Sequence, residues 1–242
     1  MKTLSIIIPV YNEEKTLQQL SQKVFDVDLA PLGYKKQIIF VNDWSEDASE
    51  EIIQDIIKEK KDKIDIKYIK NKKNSGKWFS LKEWFKNADG DLMIVQDADL
   101  EYFPEDYKEM IRIYEKEKVD FVYGSRILGM KKFENTYFSK SFLVWWLALS
   151  RFTTLLVFKR VSDEATCYKM YDKKLKKYLI LPEENWFERE PAITMLLFRK
   201  WFTYKEIPIH YKARNFDEGK KINWKDGVKA LWTLIKWRFK KI

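Results

Sequence analysis

Apolar residues fall along this chain in two rhythms. Leu4–Val10 is a nearly unbroken run rich in β-branched residues, the signature of a strand covered on both faces. Ile38–Val41 and Leu92–Val95 repeat that pattern, Ile64–Ile69 alternates, and Phe121–Tyr123 gives a short fifth strand. Between them the period lengthens. Glu13–Val27 carries Leu17, Leu20 and Val24 at helical spacing, and Ala48–Ile57 turns Ile52, Ile53, Ile56 and Ile57 to one side. Lys77–Asn87 and a segment from about Pro104 to Lys116 complete the set of helices. Strands that alternate with helices at this spacing predict an α/β fold with a doubly wound, mostly parallel sheet. After about residue 127 the pattern turns helical and aromatic, which predicts a helical C-terminal elaboration.

In such a sheet ligands sit beyond the carboxyl ends of the strands, and this picks out residues. The first strand ends at Pro9, Tyr11, Asn12 and Glu13; the second at Asn42, Asp43 and Asp47; the fourth at Asp97, Asp99 and Glu101; the fifth at Ser125 and Arg126. Acids and amides therefore collect on one edge. If the chain stays extended past Val95, the side chains of Asp97, Asp99 and Glu101 share a side, because the strand period is two. Three carboxylates so placed repel unless a cation lies among them. A hard divalent ion, Mg²⁺ or Mn²⁺, takes oxygen ligands and leaves positions for substrate phosphates, where it can act as a Lewis acid on a diphosphate.

Composition narrows the alternatives. The net charge is +9, which suits an anionic partner. From Lys220 to Ile242 there are eight Lys or Arg against one acid, Asp226. No basic reading motif accompanies them, and strand-end acids repel phosphates unless metal is bound, so a nucleic-acid partner is not expected. One cysteine, Cys167, excludes an intramolecular disulfide and fits a reducing cytoplasm. One histidine, His210, excludes His-rich metal sites. Met1–Val10 runs directly into a strand, so no secretory leader is expected. Phe142–Phe158, broken by Arg151, reads as an interfacial or buried helix rather than a span.

A series of motifs carries a family likeness. It runs through Ile7-Ile8-Pro9-Val10-Tyr11-Asn12-Glu13-Glu14, Val41-Asn42-Asp43-Trp44-Ser45-Glu46-Asp47, Asn74-Ser75-Gly76-Lys77, Gly90-Asp91 and Gln96-Asp97-Ala98-Asp99-Leu100-Glu101-Tyr102. It continues through Tyr123-Gly124-Ser125-Arg126, Asp163-Glu164-Ala165-Thr166-Cys167-Tyr168-Lys169, Glu206-Ile207-Pro208-Ile209 and Glu218-Gly219-Lys220-Lys221-Ile222-Asn223-Trp224-Lys225-Asp226-Gly227. In order and spacing the chain resembles family 2 glycosyltransferases, and among them the dolichyl-phosphate and polyprenyl-phosphate sugar transferases. The resemblance implies a GT-A fold and an inverting hexosyltransferase that uses a nucleotide-diphospho-sugar, GDP- or UDP-linked. It implies that Pro9, Tyr11, Glu13, Asp43, Lys77 and Asp97 hold the donor. Asp97 and Asp99, with Glu101, would hold the metal, and Arg126 would lie near acceptor phosphate or donor sugar. Departures stand at Asn42 for an acid, at Trp44 and Trp78 for glycines, and at Ala192 for an acid; the two Trp would narrow the donor pocket or stack on a base or sugar.

Two acceptors follow from this. A polyprenyl phosphate is already dianionic and needs cations rather than a base; Arg126, Arg214, Lys220 and Lys221 are the candidates, with Lys131 and Lys132 on a loop. A glycan or glycolipid hydroxyl needs a general base, for which Asp163, Glu188 and Glu190 are available. Asp97, Asp99, Arg126, Asp163 and Glu190 form the catalytic set. Residues 1–222 are expected as the transferase domain, 1–126 binding the nucleotide sugar and 127–222 the acceptor. Residues 223–242 are expected as a basic amphipathic helix whose apolar face is Val228, Leu231, Trp232, Ile235, Phe239 and Ile242. That helix would place the protein peripherally on the cytoplasmic face of a membrane, where a membrane partner subunit is also compatible.

Overall fold

The structure, a computed structural model, describes residues 1–74, 76, 82, 84–136, 140–184, 188–214 and 224–241. The predicted strands appear as β1 (Lys2–Val10), β2 (Tyr34–Asn42), β3 (Asp65–Lys70), β4 (Leu92–Val95) and β5 (Phe121–Ser125). Between them lie α1 (Leu17–Asp26), α2 (Ser49–Lys60) and α3 (Asp106–Glu117). Of the predicted helix at Lys77–Asn87, residues 82 and 84–87 are described, and they are helical.

The continuous apolar runs have a direct structural cause. Alternate residues of each strand enter opposite cores. Leu4, Ile6, Ile8, Ile38, Phe40 and Ile94 pack with α1, α2 and α3 on one face. Ile7, Ile39, Val41, Met93, Val95 and Tyr123 pack with Trp84, Phe85, Ile193 and Leu197 on the other. A strand covered on both sides has no polar phase to show.

Two strands escape the sequence reading. The seven-stranded order is β3-β2-β1-β4-β6-β5-β7. Here β6 (Lys169–Asp172) runs antiparallel between β4 and β5, and β7 (Tyr204–Pro208) lies parallel to β5 at the edge. The first is only four residues long and opens on a buried lysine, and the second, Tyr-Lys-Glu-Ile-Pro, has the mixed polarity of an edge. The region after residue 127 is therefore not purely helical. Its helices are α4 (Arg126–Phe133), α5 (Lys140–Val157), α6 (Lys176–Leu179), α7 (Arg189–Arg199) and α8 (Trp224–Phe239). Lys132, expected on a loop, is in α4.

The last helix is docked rather than trailing. Leu149 of α5, Ala192, Met195 and Leu196 of α7, and Ala230, Leu234 and Trp237 of α8 form a third buried cluster. A different face does this packing, and most of the apolar face expected to meet a membrane stays outward. Val228, Trp232, Ile235 and Phe239 are exposed, while Ala230, Thr233, Leu234 and Trp237 are buried. Ile242 lies outside the described residues.

Candidate active site

β1 is the point where the chain leaves for β2 and β3 on one side and returns as β4 on the other, so the crevice forms at its carboxyl end. Parallel pairing brings the ends of β1, β2 and β4 to one edge, with Val10 beside Asn42 and Ile7 beside Val95. The loops that follow are laced together. The Asn12, Glu13 and Glu14 amides donate to Ser45 Oγ, Ser49 Oγ and Asp47 Oδ2 at 2.9–3.1 Å, and Asn12 Oδ1 accepts from the Glu46 amide at 2.9 Å. Asn42, where an acid was the family habit, accepts from the Ser45 amide at 2.8 Å and donates to the Tyr68 hydroxyl at 3.3 Å. Asp43 is buried and accepts from Asn71 Nδ2 at 2.6 Å. Trp44 takes φ 65°, the left-handed region that glycine enters without cost, and its exposed ring lies 5.7 Å from Lys70 Nζ. Pro9, Tyr11 and Glu13 belong to the same edge; Lys77 and Trp78 lie outside the described residues.

The acidic segment is not extended. After Gln96 the chain turns through residues 98–100, with Leu100 at φ 62°. The expected period of two therefore does not operate, yet the acids still crowd. Burial, with Asp97 and Glu101 beside it, pushes the Asp99 carboxyl up to about 8 against the pull of Arg214. What shapes the turn is a distant segment. Tyr211 pairs with Tyr102, and the Lys212 amide donates to the Glu101 carbonyl at 2.9 Å. Tyr211 Oη and the Arg214 amide donate to the two Glu101 carboxylate oxygens at 2.8 and 3.0 Å. Arg214 Nη2 donates to Asp99 at 2.8 Å, and its guanidinium lies within 3.9 Å of Glu13. Arg214, expected at an acceptor phosphate, sits among the acids; Lys220 and Lys221 lie outside the described residues. Among the described residues no three acid, thiol or imidazole groups converge in ligand geometry.

A second group lies at the same edge, because β6 is antiparallel and begins where β4 and β5 end. Arg126 and Asp163, two separate candidates in sequence, hold each other. Asp163 accepts from Arg126 Nε at 2.8 Å, from Nη2 at 2.7 Å and from the Arg126 amide at 2.9 Å. Burial opposes charge on Arg126, but Asp163, Tyr102 and Tyr211 raise its pKa well above the ordinary value. Its guanidinium lies 3.8 Å from the centre of the Trp146 ring, a cation–π stack. With 4% of its side chain accessible, Arg126 faces protein, not an acceptor phosphate, and Asp163, fully buried in the fork, is not placed as a base. Glu190 likewise pairs with buried Lys169 at 2.8 Å, with Glu164 on the other side at 3.4 Å. Ala192 is buried in the helical core.

Glu206 of β7 is a residue that sequence reasoning did not single out as functional. Its carboxylate accepts the Ser162 amide at 2.9 Å and the Asp163 amide at 3.4 Å, fixing the turn that carries Asp163. Burial pushes Glu206 up to about 7. A carboxyl whose folded-state pKa is raised stabilises the fold fully below its unfolded value near 4.5, and that contribution is lost as pH rises through about 7. Thermal stability is therefore expected to fall between pH 5 and 8, by up to ~3 kcal/mol from this group, and Glu206→Gln should flatten that slope. A wild-type slope that the variant retains would assign it to other groups.

Comparison with known proteins bears on this edge. The family model described as "Glycosyl transferase family 2" matches residues 5–179. A dolichol-phosphate mannosyltransferase from Pyrococcus furiosus is 26% identical over 97% of this chain and 64% of its own length. An undecaprenyl-phosphate 4-deoxy-4-formamido-L-arabinose transferase from Klebsiella pneumoniae is 25% identical over 91% of the chain and 63% of its length. The chain thus spans slightly under two thirds of these relatives. Among solved structures, glucosyl-3-phosphoglycerate synthase from Mycobacterium tuberculosis, in complex with Mn²⁺, UDP and phosphoglyceric acid, superposes with a TM-score of 0.68 at 15% identity, over 100% of this chain and 80% of that one. A mannosyltransferase from Pyrobaculum calidifontis in complex with GDP-Man and Mn²⁺ gives 0.58 at 14% identity, over 87% and 56%. The fold is GT-A.

Proposed function

Because the chain belongs to glycosyl transferase family 2, we propose that it moves a hexose, with inversion, from a GDP- or UDP-linked donor to a polyprenyl phosphate at a membrane surface. The observation that carries this is the turn after β4, where Asp99 lies half-buried beside Asp97 and Glu101 and its carboxyl is raised to about 8. Acids held together at such a cost are matched to a cation brought by a ligand. The set fits Mg²⁺ or Mn²⁺ by its chemistry: hard carboxylate oxygens in excess of the nearby guanidinium. Asp97 and Asp99 would hold the ion, and Glu101 would join by exchanging Tyr211 and Arg214. When bound, the ion neutralises charge on the donor's diphosphate. Pro9, Tyr11, Glu13 and Asp43 would hold the nucleoside end of the donor, and Arg214 would screen the donor's diphosphate from the acceptor's phosphate.

The acceptor is argued from the same geometry. A phosphate monoester is largely dianionic near neutral pH and needs no base. Two of the candidate bases, Asp163 and Glu190, are engaged by Arg126 and Lys169. A glycan or glycolipid hydroxyl is the second reading. In its favour, Glu188 keeps a buried carboxylate oxygen that has no hydrogen-bond partner among the described residues. The relatives named for dolichol phosphate and undecaprenyl phosphate support the first.

A thermal-shift panel tests the donor side. Nucleoside diphosphates and nucleotide sugars are added with and without Mn²⁺. The matching nucleotide at about a hundred times its Kd should stabilise the fold by ~2.7 kcal/mol, and a chelator should remove most of that. No shift with any nucleotide, with metal present, sinks the reading.

A further inference from the structure

The third buried cluster leaves an unusual outer surface. On α5 the exposed positions Val144, Ala148, Arg151 and Leu155 recur at steps of three and four, one stripe of the helix, with Leu155 69% exposed, and Phe158, just past the helix end, is 83% exposed. On α8 the exposed apolar residues Val228, Trp232, Ile235 and Phe239 do the same, with Trp232 66% and Phe239 77% exposed. The two stripes lie side by side. A Cβ on Gly227 would touch the Trp145 ring at 3.5 Å, and Arg238 Cζ lies 5.8 Å from the Phe158 ring. Start meets start and end meets end, so α5 and α8 run parallel with their stripes flanking one seam.

Charge around the seam is mostly positive, the acid Glu184 being largely buried and paired with Lys236 at 2.8 Å. Between Glu134 and Asp163 there is no acid, but Arg151, Lys159 and Arg160 are present. α8 and the two residues after Phe239 carry Lys229, Lys236, Arg238, Lys240 and Lys241, and their single acid, Asp226, is buried. Large exposed apolar patches on soluble proteins mark interaction sites. Apolar and Trp residues rimmed by Lys and Arg match a bilayer of anionic lipid, where rings enter the headgroup boundary and cations stay with phosphate. No described helix is long and apolar enough to cross a membrane.

We propose that the paired stripes of α5 and α8 form a docking face for an anionic phospholipid bilayer. The face reaches the site through one helix: α5 shows Trp145 outward and stacks Trp146 on Arg126. The place of this face in the reaction rests on the lipid-acceptor reading; its existence rests on exposure and charge alone.

The test is vesicle flotation of the full chain with phosphatidylcholine mixed with phosphatidylglycerol, without any polyprenyl phosphate. Wild type should float with the vesicles. Trp232→Glu/Phe239→Glu should lower partitioning by about tenfold or more, the scale of withdrawing one large apolar side chain. Leu155→Glu on the other helix should lower it too, and all variants should keep the wild-type melting temperature and nucleotide-induced shift. A wild type that stays at the bottom, a double variant that floats as wild type does, or a wild-type dimer that covers this face would overturn the proposal. Sugar transfer to a water-soluble short-chain phosphate by a protein that does not float would sink the docking face and spare the transferase. Flotation without transfer to any lipid phosphate would do the reverse.

Discussion

Asp99→Asn is expected to lower sugar transfer by at least ~10²–10³-fold while leaving the fold as stable as wild type or more so. The two halves of this result have one cause. Asp99 lies half-buried in a turn beside Asp97 and Glu101, and the combined effect raises its carboxyl to about 8 in spite of Arg214. The charged form is therefore unfavourable in the protein alone. Asparagine keeps the shape and an oxygen that accepts from the Glu101 amide, 3.1 Å away, and removes the charge. The free protein should melt at an equal or higher temperature in the presence of a chelator. The shift produced by Mn²⁺ with nucleotide should disappear, because a neutral amide oxygen binds a hard cation less well than a carboxylate. A folded Asp99→Asn protein that transfers sugar at the wild-type rate would remove the acidic turn from the chemistry. A variant that simply unfolds would contradict the electrostatic account of the turn, since that account makes the substitution neutral or stabilising.

How much of this was legible beforehand depends on whether the signal was local. β1, β2 and β4 were readable because both of their faces are buried, so Ile6 and Ile7 are apolar for separate cores. The acidic edge was readable from strand ends alone. Its shape was not: residues 98–100 turn, and the segment at 211–214 that clasps Glu101 is more than a hundred residues away. β6 was hidden because its first residue is Lys169, a buried cation between Glu164 and Glu190, which no apolar pattern announces. For α8 the pattern had two solutions. Val228, Trp232, Ile235 and Phe239 make the stronger stripe, but Ala230, Leu234 and Trp237 face the core. Amphipathicity gave the outward apolar face and did not show that the opposite side, built on Ala230 and Trp237, would dock on the core. Trp44 shows a further limit. Its position was marked as one that suits glycine, and the backbone there does adopt φ 65°, but what the ring contributes could be asked only once it was seen exposed.

Breaking the Arg126–Asp163 pair should have the largest effect on the fold. Asp163→Asn or Arg126→Met is expected to cost ~3–5 kcal/mol, because either leaves one buried charge without its partner. At this chain length that lowers Tm by about 10 °C or more. Asp163 is fully buried and Arg126 nearly so, with two side-chain bonds of 2.7 and 2.8 Å between them. The pair also joins distant parts of the site: Asp163 accepts the amide that opens α4, Glu206 grips the turn on which Asp163 sits, and the Arg126 guanidinium packs on Trp146 of α5. Arg126→Lys should not rescue the loss, since an ammonium cannot reproduce the bidentate fork or the flat stack on indole. The double variant Arg126→Met/Asp163→Asn removes both charges at once and should recover at least half of the lost Tm, as a positive coupling in a double-mutant cycle. Melting curves of the four proteins measure this directly. Single variants as stable as wild type would mean the pair is not holding the edge together, and Arg126 would return as a residue that meets the acceptor. Full additivity in the double variant would show that the two side chains act apart.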